Sequence, residues 1–403
     1  MNNQTKGFSI ILYLIWPISA IFIGLRNFDC RFGRNLLVAS FTFLGYTADD
    51  TGDLERYASQ YYEASNNKLD YILDLFLNLQ IGKFFNDFSA IIFSIFDNHH
   101  IYFAFLFGVF GYFLVNAINL LRINISSKSK LPVLVGFIAF ASFYSILTIF
   151  NYAFYMGGIY FLYFLLKIIF SNHNKRKYYI LICLAPLFHI GLIPALLVPF
   201  FYAIFKQRTL FYILLLVVST SLSQSFLVNK VESGLVDSDN ILDDKFRSYG
   251  SEAGRERLED RYAGGYESGN FNYRISRDSK KWANTIGIPL LLLFLFINRK
   301  KLKEDKESLD LFNVSIACLS ITSLMLNISQ GERFYNISGF MVIAAYAYYI
   351  QKMSYNSLKF RSLLFISVPL IIFANILSFI MAKNFISPDF YLSNYPIKLF
   401  ELL

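Results

Sequence analysis

Apolar blocks recur from one end of this 403-residue chain to the other and constrain its fold more than any other feature. Ten are full-length: residues 8–25, 34–48, 101–121, 131–149, 154–170, 209–228, 283–298, 309–327, 334–350 and 361–381. About 20 apolar residues in a helix match the hydrocarbon thickness of a bilayer, so the pattern predicts a polytopic membrane protein. Lipid offers no water to backbone N–H and C=O groups, so the spans are expected to be helices. A barrel would instead show short alternating segments, and these are absent. The predicted fold class is therefore all-α, a single membrane domain over 1–403 with about ten transmembrane helices. Block 34–48 is short for a span. With 55% hydrophobic and 16% charged residues, the composition excludes a soluble domain.

The formal net charge of +9 comes from short basic clusters between the apolar blocks. Cytoplasmic loops carry such clusters, so the charge implies topology and no nucleic-acid partner. Residues 8–25 are long enough to span and lack a basic n-region with a small-residue cleavage site, so no cleaved signal is expected. Simple alternation of spans fails at 178–205, because Lys175–Lys177 and Lys206/Arg208 flank this one block. The block also holds Pro186, Pro194, Pro199, His189 and Gly191, and proline interrupts the helical ladder. A re-entrant hairpin or two short helices with His189 at the turn puts both clusters inside. Residues 49–100 and 229–281 are then outside. Within 49–100, the stretch 71–96 reads as one amphipathic helix lying in the interface.

Residues 229–281 form the long polar loop, with 10 of the 37 Lys/Arg and 11 of the 28 Asp/Glu. From Arg247 on, arginines alternate with tyrosines; Arg255, Arg257, Arg274 and Arg277 are the candidate ligands. Arginine forks match phosphate oxygens and aromatic faces match sugar rings. A solvated helix face would carry the same single charges. His189 reads as the one ionisable residue at membrane depth. It either accepts a proton in a site or satisfies a carbonyl freed by proline. Asp53 and Tyr57, four apart, share a face if their segment is helical. Asp53 either orients a sugar hydroxyl or caps that helix. Arg333 opens a late span on the outer side, where the positive-inside rule asks for no base. Cys30, Cys183 and Cys318 make neither a disulfide framework nor a metal pattern, and no metal or cofactor is expected.

Between about Arg34 and Met381 the chain resembles the EpsG family of membrane polysaccharide polymerases, the Wzy-like enzymes. The resemblance rests on Gly52-Asp53 with Tyr57 after the second span, block 101–122, Leu187-Phe188-His189 after a basic, tyrosine-rich turn, and Arg333-Phe334. Two features depart from the family. Residues 151–155 lack the arginine usual before the next span, and Tyr46-Thr47 stands where a basic residue commonly precedes the Gly-Asp pair.

The resemblance implies a glycosyltransferase of the bacterial cytoplasmic (inner) membrane, with its site facing the periplasm or exterior; with no metal motif in the sequence and arginines able to hold a pyrophosphate, the activity is expected to be metal-independent. Its substrates would be undecaprenyl-pyrophosphate-linked oligosaccharides, with membrane lipid around it and room for a chain-length regulator. Asp53 and His189 are the candidate catalytic groups. Arg56, Tyr57, Arg333, Arg255, Arg257, Arg274 and Arg277 are the candidates for binding substrate and pyrophosphate. Arg56, Arg333 and the loop arginines would replace the missing family arginine. A lipid-linked oligosaccharide flippase or a polymer (O-antigen) ligase would use the same substrate. An acyltransferase would call for a paired-histidine or His-Asp motif, and none is read.

Overall fold

The computed structural model describes residues 3–50, 53–77, 81–123, 152–171, 173–223, 275, 279–326, 331–352, 361–382 and 390–391. Every element among them is helical. Four helices are long and apolar enough to cross a membrane: His99–Arg122, Ala153–Phe170, Ser279–Ile297 and Lys306–Met325. Block 131–149 and most of loop 229–281 lie outside the described residues, including Arg255, Arg257, Arg274 and Arg277. The chain forms two compact units. One comprises Met1–Asn124, Ser145–Leu192 and Phe379–Leu403; the other comprises Ile125–Tyr144 and Ile193–Ser378.

In the first unit, α1 (Asn3–Ile15) and α2 (Ser19–Arg26) divide the first apolar block. Pro17 sits at the break, since it cannot donate to the helical ladder. α3 (Arg31–Tyr46) packs along α7 (His99–Ile123). Gly45 makes their approach possible: a Cβ there would stand 2.5 Å from the Phe103 carbonyl oxygen. Such small-residue contacts let helix backbones approach closely in membranes. Gly45→Ala is therefore expected to cost about 1–3 kcal/mol by overpacking. Gly7→Ala, with nothing within 4 Å, should cost little. The melting temperatures of the two purified variants, compared in detergent, check this.

α4 (Asp53–Asn66), α5 (Lys68–Leu77) and α6 (Phe84–Phe93) fill the connection from α3 to α7. The single interface helix expected over 71–96 is two helices separated at Ile81–Lys83, a 3-10 turn. Gly82 packs there against the backbone of Ile190, which a continuous helix with side chains would not allow. α6 buries Asn86, Asp87 and Ser89 while Phe88 and Ile92 are exposed. Apolar outside and polar inside is the arrangement for lipid contact, the reverse of a water-soluble surface.

α8 (Tyr152–Phe170) lies beside α7, with the Phe113 ring against Tyr160 and Tyr163. The chain then returns along α8. Lys167 stands over Tyr178, the Tyr160 hydroxyl donates to the Leu181 carbonyl at 2.8 Å, and the His189 ring meets Phe154 edge-on. α9 (Lys175–Ile182) accounts for the first part of this return and 3-10 turns Ala185–Leu187 and Ile190–Leu192 for the rest.

In the second unit, α10 (Leu197–Phe205) follows the turn Pro194–Leu196, and α11 (Thr209–Ser223) follows α10. A π-helical stretch, Ala283–Gly287, leads into α12 (Ile288–Ile297), and the basic cluster begins with α13 (Arg299–Leu302). α14 (Lys306–Met325) is the centre of the unit and packs on α11 and α15 (Phe334–Lys352). α16 (Arg361–Ala382) carries Pro369 within it. Asp305 caps α14 by accepting from the Ser308 N–H at 2.9 Å, and Lys352 Nζ lies 2.5 Å from the same carboxylate. Burial raises the Asp305 pKa, but the bonds from Lys352 and Ser308 outweigh it and leave the carboxyl below its usual range. The sequence reading found one ionisable residue at depth and missed Asp310. It is buried in α14 and accepts a hydrogen bond from the Tyr202 hydroxyl at 2.8 Å.

Candidate functional site

α4 is helical from Asp53, which places Asp53 and Tyr57 one turn apart on one face, as their spacing predicted. Tyr57 is buried, and its hydroxyl oxygen accepts the Ala153 N–H at 3.2 Å. The first N–H groups of a helix have no partner within it, so Tyr57 satisfies one at the start of α8. Arg56, exposed beside it, donates from Nη2 to the same oxygen at 3.3 Å. A guanidinium thus stands one hydroxyl away from the start of α8.

His189 is half-buried, and its Nδ1 accepts the Gly191 N–H at 3.0 Å. An accepting Nδ1 puts the proton of the neutral ring on Nε2. His189 therefore presents a donor in this geometry, and the role of general base assigned to it from the sequence needs a different ring state. Arg333 belongs to the second unit. It ends the 3-10 turn Gly331–Arg333 that leads into α15, and its carbonyl accepts from Asn336 Nδ2 at 3.3 Å.

The clearest base in the first unit was not among the sequence candidates. His99 opens α7, and its Nε2 lies 2.8 Å from Asp50 Oδ1, just beyond the end of α3. Its Nδ1 lies 2.9 Å from the hydroxyl of Tyr62 on α4. An ionised carboxylate only accepts, so Nε2 carries the proton and Nδ1 of the neutral ring accepts from Tyr62. Phe103 meets the ring edge-to-face, and the His100 ring lies beside it, tilted by 32°, with centroids 4.2 Å apart. Tyr62 is 47% exposed, so the chain of three groups opens outward. Beside it, burial, together with Asp97 and Tyr62, raises the Tyr61 pKa, and the Tyr61 hydroxyl donates to the Phe96 carbonyl. The His-Asp pairing that the sequence reading did not find spans 49 residues. Its one local signal is the pair His99-His100 at the lip of a span, two of the four histidines in the chain.

Chemically, this unit offers an oriented imidazole acceptor, an exposed tyrosine hydroxyl in contact with it, and a fixed exposed guanidinium. Arg56 and Tyr62 come from the same short helix, α4. Among the described residues, no group of three or more His, Cys, Asp and Glu side chains could hold a metal ion. No family model, curated protein or solved structure matches the chain.

Proposed function

We propose that the chain is a polymerase of undecaprenyl-pyrophosphate-linked oligosaccharide repeat units, acting at the outer face of the bacterial cytoplasmic membrane. The observation that carries the reading is the Asp50–His99–Tyr62 chain with Arg56 on the same helix as Tyr62. Transfer from a lipid pyrophosphate needs a base for the incoming hydroxyl and a cation for the departing diphosphate. The acceptor hydroxyl attacks the anomeric carbon of the donor glycan and passes its proton to Tyr62, which passes its own to His99 Nδ1. The bond from the anomeric carbon to the diphosphate oxygen breaks, and the lipid diphosphate leaves as an anion facing Arg56. Asp50 stabilises the imidazolium that forms. His189, presenting Nε2–H, donates to a phosphate or sugar oxygen. Asp53 orients the acceptor.

The topology proposed with it has about ten spans, 178–205 re-entrant, and 49–100 and 229–281 outside. α9 has 8 residues, roughly 12 Å at 1.5 Å per residue, and the apolar helical stretch Ile190–Phe205 is also shorter than the about 20 residues of a span. In the first unit, the end of α3, the starts of α7 and α8, and His189 meet at one end. In the second unit, the Lys206 carbonyl accepts from Asn313 near the start of α14, beside the basic cluster of α13. The hairpin reading puts both flanking clusters of 178–205 on the cytoplasmic side, as the Lys/Arg bias asks. A cysteine at position 206 is expected to react with a membrane-impermeant thiol reagent only after permeabilisation. Labelling from outside would overturn the hairpin.

In a deletion strain, surface glycan is expected to collapse from a ladder to lipid bearing one repeat unit. The wild-type gene should restore the ladder. Arg56→Ala and Arg333→Ala should restore it poorly at normal protein level, by roughly 10–100-fold less polymer, with Lys at either position intermediate. Loss of even the single unit would indicate transport or ligation and overturn the polymerase. The His99–Asp50 pairing also favours a second reading, acyl transfer to a sugar hydroxyl. An intact ladder that has lost acyl groups would select it.

A further inference from the structure

A second feature of the first unit has no part in the proton relay. α4, α5 and the start of α6 enclose a cleft of about 350 Å³, within the range of small-ligand sites. Gln60, Glu63 and Asn67 face it at the spacing of one helix side. Tyr71 and Asp87 line it too. Asp87 is 8% exposed, and the Tyr71 hydroxyl donates to its Oδ1 at 3.0 Å. Asp70 and Lys83 complete the charged part of the lining.

We propose that this cleft is a saccharide subsite that takes neutral or amino sugars and rejects uronic acids and phosphates. Three features set that ligand class. The three carboxylates against one ammonium give the lining an excess of acceptors and of negative charge. They suit hydroxyl and ammonium donors and repel a carboxylate or diphosphate. Gln60 lines the cleft with an amide whose buried Oε1 has no hydrogen-bond partner among the described residues, a polar group left to be satisfied there. The Gln60 and Asn67 amides and Lys83 can donate to ring and hydroxyl oxygens, and the Tyr71 ring offers an apolar face to sugar C–H groups.

The charge also separates two tasks: a diphosphate belongs beside Arg56, and the sugar belongs in the cleft. The turn that carries Lys83 packs on the turn after His189 through Gly82 and Ile190. The cleft therefore sits against the same end of the unit as the relay. Assigning the bound sugar to the glycan being extended rests on the polymerase reading. The binding itself does not.

Saturation-transfer NMR on the full-length protein in nanodiscs tests the cleft, with the methyl glycosides of glucose, N-acetylglucosamine, glucosamine and glucuronic acid as probes. Transfer is expected to at least one of the first three and not to the glucuronide. The double variant Glu63→Gln/Asp70→Asn, at the exposed mouth, should weaken it about tenfold or more. Tyr71→Phe, which loses the bond to Asp87, should weaken it as well. No transfer to any probe, equal transfer to the glucuronide, or transfer unchanged in the double variant would overturn the proposal. Normal probe binding in a chain that makes no ladder in the deletion strain would refute the polymerase and leave the cleft standing. A normal ladder without probe binding would do the reverse.

Discussion

His99→Gln is expected to reduce polymer formation by about 10²–10⁴-fold, the range removed with a general base, while protein level stays near wild type. Glutamine retains much of the length and one hydrogen-bonding edge, so Phe103 and His100 still have a neighbour. It cannot accept and release a proton. The imidazole is positioned from two sides, 2.8 Å from Asp50 and 2.9 Å from Tyr62. Asp50→Asn should therefore cost less than His99→Gln, because the ring survives with its tautomer less firmly set. Tyr62→Phe should cost less again if the acceptor hydroxyl can reach Nδ1 directly. The measurement is the glycan ladder from each complemented strain, normalised to the amount of variant in the membrane. Wild-type ladders from His99→Gln would reduce the three groups to a structural tie between α3, α4 and α7.

The second large effect is on stability. Gly331→Ala is expected to destabilise at the upper end of the about 1–3 kcal/mol typical of overpacking. A Cβ at 331 would stand 1.7 Å from the Met325 carbonyl oxygen and 2.6 Å from its carbon, and neither is a side-chain atom that can rotate away. The backbone between α14 and α15 must re-form to admit it. Those helices are tied by Ser315 Oγ donating to the Met341 carbonyl at 2.8 Å and Thr322 Oγ1 donating to the Phe334 carbonyl at 3.2 Å. A shift at the turn strains both bonds and displaces Arg333, two residues on. Folded protein recovered in detergent and its melting temperature should fall together, and the ladder should weaken beyond the loss of protein. A melting temperature equal to that of wild type would show that the turn is not held as described.

Several expectations could be read residue by residue because their causes are local. Hydropathy over about 20 residues sets which helices can cross lipid, and four of the described helices meet that demand. The spacing of Asp53 and Tyr57 needed only that their segment be helical. The exposed apolar and buried polar faces of α6 follow its own periodicity. Hydropathy alone did not locate the breaks. Pro17 divides the first block, and the 3-10 turn Ile81–Lys83 interrupts the interface helix where Gly82 packs against another part of the chain, Ile190. Asp310 was hidden by its apolar neighbours until α10 brought Tyr202 to it.

The site divides along the same line. By itself the sequence determined a helical chain with apolar spans, and a polar segment after residues 34–48 in which Asp53, Arg56 and Tyr57 share a stretch that would bring Asp53 and Tyr57 to one face if helical. It also marked His189 among prolines. Tertiary structure alone decided that Tyr57 reaches the start of α8, that His189 Nδ1 is taken by Gly191, and that Asp50, Tyr62 and His99 form one chain of hydrogen bonds. The physical reason is range. Hydropathy and helical periodicity act over a few turns and leave their mark on neighbouring residues, whereas Asp50 and His99 are 49 residues apart. They meet only because α3 and α7 pack closely enough at Gly45 to bring the end of one helix to the start of the other.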